Sequence, residues 1–170
     1  PPVGHVPMET HVAIAQADPY SDKIEVWTSS QSPFALRDMM ANAFNTRRGD
    51  INIHIPYIGG GFGGKSGIHL EPLVTILSKA ANGRPVKLKA SREQEFNQLP
   101  TRAAMRSRVK TGVKKDGKIT AFEATYDWDS GAYADYAVNV GKTAVYSGAG
   151  PYELENVKID SRTLYTNKVF

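Results

Sequence analysis

Ile51-Asn-Ile-His-Ile-Pro-Tyr-Ile58 runs directly into Gly59-Gly-Gly-Phe-Gly-Gly-Lys-Ser66, a strand-like stretch followed by five glycines around one aromatic. Without Cβ atoms such a backbone can approach a large ligand closely. A run of unobstructed amides makes an anion-binding concavity, and a helix starting soon after adds the partial positive charge of its N-terminus. The expected ligand is anionic.

Two general patterns match here. Gly59, Gly64, Lys65 and Ser66 satisfy G-x-x-x-x-G-K-[ST], in which amides cradle phosphates, the lysine reaches the terminal phosphates and the hydroxyl binds magnesium. Gly59, Gly61 and Gly64 also satisfy the dinucleotide fingerprint G-x-G-x-x-G, and the strand-like 51–58 lies upstream as either fold requires. Against the first, no later apolar run ends in an aspartate to hold magnesium, and Ile119 to Asp127 alternates like a half-exposed strand. Against the second, Phe62 crowds the glycine turn, and Glu93 lies late for a ribose contact. A nucleotide-binding domain using Gly59 to Ser66 stays open as an alternative, and a non-catalytic interaction fragment is a third.

Further residues decide among these. Trp27-Thr-Ser-Ser-Gln-Ser-Pro33 precedes the glycine run by about thirty residues. Around them, in order, stand Pro7-Met-Glu9, Ser91-Arg-Glu-Gln-Glu-Phe96 leading to Arg102, Asp116-Gly-Lys-Ile119, Asp129-Ser-Gly-Ala-Tyr133, Gly150-Pro-Tyr152 and Tyr165-Thr-Asn167. With Gly-Gly-Gly-Phe-Gly-Gly-Lys, this series resembles the molybdenum-cofactor domain of the xanthine dehydrogenase and aldehyde oxidase family of molybdenum hydroxylases, over nearly the whole of residues 1–170.

The resemblance implies a function. Members hydroxylate carbon with oxygen from water and pass electrons to iron–sulfur and usually FAD centres on other domains or subunits. The cofactor is molybdenum-molybdopterin, in its plain or its cytosine dinucleotide form. Gln31 matches the glutamine that hydrogen-bonds an oxygen ligand of molybdenum. Gly60, Gly61, Phe62, Gly63 and Gly64 match the backbone that faces the cofactor, with the amides near Phe62 and Gly63 directed at its oxo group. The protein supplies no direct metal ligand. The catalytic base is a glutamate in a downstream Gly-Glu segment absent from these 170 residues, so the fragment alone is expected to be inactive. Purine-oxidising members carry a glutamate directly after Gly-Gly-Lys and an arginine three residues past the glycine matched by Gly131. Ser66 and Ala134 stand there instead, which points away from xanthine and towards aldehydes or N-heterocycles such as nicotinate. The expected partners are the remainder of the molybdenum subunit, the iron–sulfur and FAD components and a small-molecule substrate.

Composition permits this reading. At 170 residues, with 41% hydrophobic and 22% charged, the chain suits one soluble domain, and no apolar stretch approaches the roughly 18 residues of a membrane helix. It starts Pro-Pro-Val-Gly without methionine and stops at Lys168-Val-Phe170, so we expect a piece of a longer large subunit. The absence of cysteine places any iron–sulfur cluster elsewhere and suits a cytoplasmic location. Arg102, Arg106, Arg108, Lys110, Lys114, Lys115 and Lys118 gather in one stretch, but without interleaved aromatics they read as a solvated face or subunit contact rather than a nucleic-acid surface.

Periodicity places the elements. Val12 to Ala17 and Lys23 to Thr28 read as a hairpin. Pro33 opens a helix whose apolar residues run to Phe44, Ser32 is positioned to cap it, and Gly49 closes the connection. Ile68 to Ala81 reads as a second helix with Pro72 in its first turn and Asn82-Gly83 at its end. A strand follows at Val86 to Ala90, then a hairpin from Met105 to Asp129 turning at Lys115-Asp-Gly-Lys118. A loose helix near Ala137 to Val145 and a strand from Val157 to Thr166 complete the chain. The expected fold is α+β, a mixed β-sheet with helices packed on one face, built from two β-α-β-like halves. His54 and His69 lack metal-ligand spacing, and Asp129 and Asp135 read as turn-stabilising.

Overall fold

A computed structural model describes residues 3–168. Pro1, Pro2, Val169 and Phe170, on which the expectation of cut ends partly rests, lie outside the described residues. Contacts divide the chain into two compact units, residues 4–100 and residues 101–168 with Val3.

The first unit is a four-stranded mixed sheet in the order β3-β2-β1-β4. Its strands are β1 (Val12–Ala17), β2 (Ile24–Thr28), β3 (Ile51–His54) and β4 (Val86–Lys89). β1 pairs antiparallel with β2 and β4, while β2 and β3 are parallel. The register sets Ala13 opposite Thr28 and Ala15 opposite Val26, so alternate residues share one face. On that face Ala13, Ala15, Ala17, Ile24, Val26 and Ile51 form the core with residues from two helices.

The helix α1 (Pro33–Phe44) contributes Leu36, Met40 and Ala41, and α2 (Glu71–Ala80) contributes Val74. Both helices therefore cover the same side of the sheet, as expected. Small alanines on β1 let the helices approach, and complete burial of Leu36 and Met40 contributes about 1.5–3 kcal/mol each. The Ser78 hydroxyl accepts from the Ala17 amide at 3.0 Å and donates to the Arg84 carbonyl at 2.8 Å, fastening α2 to the end of β1.

Several boundaries differ from the sequence expectation. α1 itself ends at Phe44, where the apolar residues stop, with Asn45 as its C-cap at a left-handed φ of 50° that asparagine tolerates. The Ser32 side chain makes no capping bond. β3 stops at His54, because Pro56 cannot continue a ladder of N–H donors. A short helix not foreseen by apolar periodicity, α3 (Arg92–Asn97), is built on a capping box in which Ser91 accepts from the Gln94 amide and the Gln94 side chain accepts from Ser91.

In the second unit, β5 (Ala104–Val113), β6 (Ile119–Asp129) and β7 (Asn156–Leu164) form a mixed sheet in that order, with β5 and β6 antiparallel and β6 and β7 parallel. The helix α4 (Ala137–Tyr146) is the crossover between the parallel strands. It approaches closely at Gly141, where a Cβ would meet Thr163 and Ser161. The expected mixed sheet is thus realised as two, each holding a strand-helix-strand crossover. On β5, Arg106 faces Asp127 and Lys110 faces Glu123 across the register, and Asp127 in turn binds Arg162 at 2.7 Å.

Asp129 ends β6 in a network with Lys168, Thr166 and the Gly131 amide. Hydrogen bonds from Lys168 and Thr166 hold its carboxyl at about 2, below the ordinary 3.8. A depressed folded value means that this contribution is present above pH 3.8 and is lost as pH falls towards 2. Asp129→Asn should therefore lose stability at neutral pH and show a shallower decline across that acid window, as measured by pH-dependent thermal unfolding. An acid limb identical to that of wild type would remove Asp129 as its source.

Candidate functional site

The loop between β3 and α2 carries the glycines, and Gln31 meets it. Gln31 lies immediately before Ser32 and Pro33, so it stands beside the uncapped N-terminus of α1. Its Oε1 accepts from the Gly63 amide at 3.0 Å and the Lys65 amide at 3.1 Å, and its own backbone N–H donates to the Lys65 carbonyl at 2.8 Å. Two N–H donors on one atom identify that atom as the carboxamide oxygen. Nε2, a pure donor, has no partner among the described residues. A Cβ on Gly61 would fall on this carboxamide, so glycine there is demanded by the close approach of Gln31.

Within 59–65 the amides of Gly59, Gly63, Gly64 and Lys65 all have protein acceptors, Gly64 donating to the Gly61 carbonyl at 2.9 Å. Gly60, Gly61 and Phe62 donate to none among the described residues. The Gly63 amide, expected to face a ligand, is thus committed to Gln31, and the open donors lie one to three residues earlier. Gly63 faces outward in another sense: its φ of 92° needs glycine, and a Cβ there would meet nothing within 4 Å. Phe62 has a left-handed φ of 54° and is 71% exposed, so it is not a plug beneath the turn. A bulky side chain held in that conformation stores about 1–3 kcal/mol, a strain that clusters at ligand sites.

Lys65 is 1% exposed, and its Nζ binds Glu9 Oε2 at 2.8 Å. It is not free to reach a phosphate as the lysine of G-x-x-x-x-G-K-[ST] does. Burial alone would raise the Glu9 carboxyl, but hydrogen bonds from Lys65 and the Gly59 amide outweigh it and hold Glu9 below the ordinary 4.5. Behind the loop, the Gly64 carbonyl lies 2.9 Å from His11 Nε2, while His11 Nδ1 lies 2.9 Å from Glu95 on α3. Glu9, His11 and Glu95 were not foreseen as site residues, because their partners lie 50 or more positions away in sequence. Titration calorimetry with magnesium and ATP should accordingly show no micromolar binding. Binding lost in Lys65→Ala would restore the phosphate-loop alternative.

Ser66 is buried at 9% exposure in the first unit, and Ala134 at 7% in the second, in a turn where Ala134 and Asp135 both have positive φ. His54 is engaged by Glu25 at 2.6 Å and stacks on Trp27, and His69 packs edge-on against His11.

This donor-rich surface, with its nearby carboxylate already neutralised, fits an oxygen-rich anionic group. The family model for the molybdopterin cofactor-binding domain matches residues 1–170. The chain belongs to that family. Its relatives include the probable hypoxanthine oxidase XdhD of Escherichia coli O157:H7, 30% identical over 161 residues that cover 95% of this chain and 16% of that protein. The nicotinate dehydrogenase large molybdopterin subunit of Eubacterium barkeri is 33% identical over 144 residues, covering 85% of this chain and 34% of that subunit. Among solved structures, quinoline 2-oxidoreductase from Pseudomonas putida 86 matches with a TM-score of 0.83 and 30% identity, over 98% of this chain and 22% of that one. This molybdopterin-binding domain therefore spans between 16% and 34% of the length of these relatives. No helix among the described residues is long and apolar enough to cross a membrane.

Proposed function

We propose that residues 1–170 form one cofactor-cradling part of the large subunit of a molybdenum hydroxylase of the xanthine dehydrogenase and aldehyde oxidase kind. The observation that carries this is Gln31, whose carboxamide oxygen is consumed by two loop amides while its Nε2 remains a donor. In this reading Nε2 holds an oxygen ligand of molybdenum. The open amides of Gly60, Gly61 and Phe62 and the outward backbone of Gly63 line the pterin, while Gly64, matched by resemblance to the same backbone, is buried against His5 and His11 and holds the turn from behind. No side chain here ligates the metal. When bound, the cofactor supplies two-electron oxidation of carbon with oxygen drawn from water.

The chain's own residues bind, orient and shield that group. By the resemblance, the general base is a glutamate of a downstream Gly-Glu segment, which would have to come within about 2.6–3.2 Å of the reacting oxygen or one water away. Iron–sulfur and FAD centres on partner domains carry electrons onward, and the enzyme works in the cytoplasm. The substrate is an aldehyde or an N-heterocycle: at the two positions where the resemblance puts the glutamate and arginine of purine-oxidising members, this chain has Ser66 and Ala134. The pterin takes the plain or the cytosine dinucleotide form.

Molybdenum and pterin analysis of the enzyme that carries this chain tests the proposal, followed by turnover with benzaldehyde, nicotinate, quinoline, hypoxanthine and xanthine. Molybdenum in stoichiometric amount, with turnover of an aldehyde or of nicotinate or quinoline, is expected. Absence of molybdenum together with magnesium-dependent nucleotide affinity would replace this function with the nucleotide-binding one. Xanthine as the best substrate would overturn the roles given to Ser66 and Ala134.

A further inference from the structure

One carboxylate meets both ends of the glycine loop. Glu9 Oε2 accepts from the Gly59 amide at 2.8 Å and from Lys65 Nζ at 2.8 Å, while the Glu9 amide donates to the Gly59 carbonyl at 3.1 Å. Lys65 is held again through its backbone, whose N–H and C=O both bind Gln31. A Cβ at Gly59 would lie 2.5 Å from Glu9 Cβ, so the first glycine of the loop is itself shaped to this carboxylate.

Such a pair is an inefficient source of stability. Removing an ammonium from water carries a penalty of several kcal/mol that its partner's attraction only roughly offsets, and an apolar side chain of similar volume often does as well. What the pair supplies is geometry and charge. It fixes the span from Gly59 to Lys65 at one point, and it neutralises the carboxylate that binds the amide next to Gly60–Phe62. We propose that Glu9 and Lys65 are positioning residues, a clasp that closes the loop and presents Gly60–Phe62 and Gln31 to the cofactor. This rests on the function proposed above.

The pair is asymmetric, with Lys65 at 1% side-chain exposure and Glu9 at 27%. Lys65→Met retains the apolar stem and leaves a carboxylate that water reaches, so its melting temperature should stay near wild type. Glu9→Gln strands a buried ammonium and should lower the melting temperature clearly. The test uses the enzyme that carries this chain and reads melting temperature, pterin per chain, and hydrogen exchange of amides 59–65 after the cofactor is removed. In Lys65→Met, pterin should fall about tenfold or more and loop exchange should quicken by a similar factor, as for outer partners of a cofactor site. Lys65→Arg, which keeps the charge, should recover most of the pterin. Should Lys65→Met fail to fold, Glu9→Asp, which draws the carboxylate back by one methylene, should give the same two changes in weaker form. Wild-type pterin and wild-type loop exchange in whichever of these folds would overturn the clasp, as would pterin loss only in step with melting temperature. A wild-type enzyme that purifies without pterin would overturn the proposed function alone, and loop exchange in the variants would still decide the clasp.

Discussion

Gly63→Val is expected to yield an enzyme that folds and purifies without pterin. The backbone at Gly63 has φ 92°, which a β-branched residue reaches only with strain of about 1–3 kcal/mol. The added Cβ meets no atom beyond its chain neighbours within 4 Å, so the packing leaves room for it. The added atoms instead occupy the space into which a close-lying ligand must come. Loss of cofactor with a melting temperature lowered by only the few degrees that this strain accounts for separates this from unfolding, and Gly63→Ala should fall between. The measurement is molybdenum and pterin per chain. A normal cofactor load in Gly63→Val would show that the loop does not touch the cofactor.

Gln31→Ala should lower turnover by about ten- to a hundred-fold while most of the molybdenum stays bound, since an outer hydrogen bond orients a ligand without holding the metal. The structure gives this side chain two tasks that alanine removes together, the donor for the ligand and the acceptor for the Gly63 and Lys65 amides. Gln31→Glu separates them. A carboxylate still accepts both amides but presents no donor, so the loop should keep its exchange protection while turnover falls at least as far as in the alanine variant. Full turnover in Gln31→Ala at full metal content would leave Gln31 as a loop brace only.

Much of the fold was legible locally. Pro33 with Leu36 and Met40 at helical spacing defines α1, the run Val12 to Ala17 marks β1, and Asp116-Gly117 marks the β5–β6 turn. These elements carry their own signal because period and turn chemistry are properties of neighbouring residues. α3 was legible too, through Ser91 and Gln94, but a capping box without an apolar stripe is easily passed over. The early end of β3 was written in Pro56 and outweighed by the apolar residues around it.

The candidate site divides along the same line. Sequence alone determined that Gly59 to Ser66 is a glycine loop following a strand, that Gln31 stands before a helix start, and that the chain resembles the molybdenum-cofactor family, since each rests on residue type and order. Tertiary structure alone decided that Lys65 is buried on Glu9, that the Gly63 amide belongs to Gln31, that His11 and Glu95 brace Gly64, and that Gly60 to Phe62 keep the open donors. The physical reason is that a side chain's charge and hydrogen-bond capacity are properties of its residue type. Which partner consumes that capacity is fixed only when segments 32 to 84 positions apart are brought into contact.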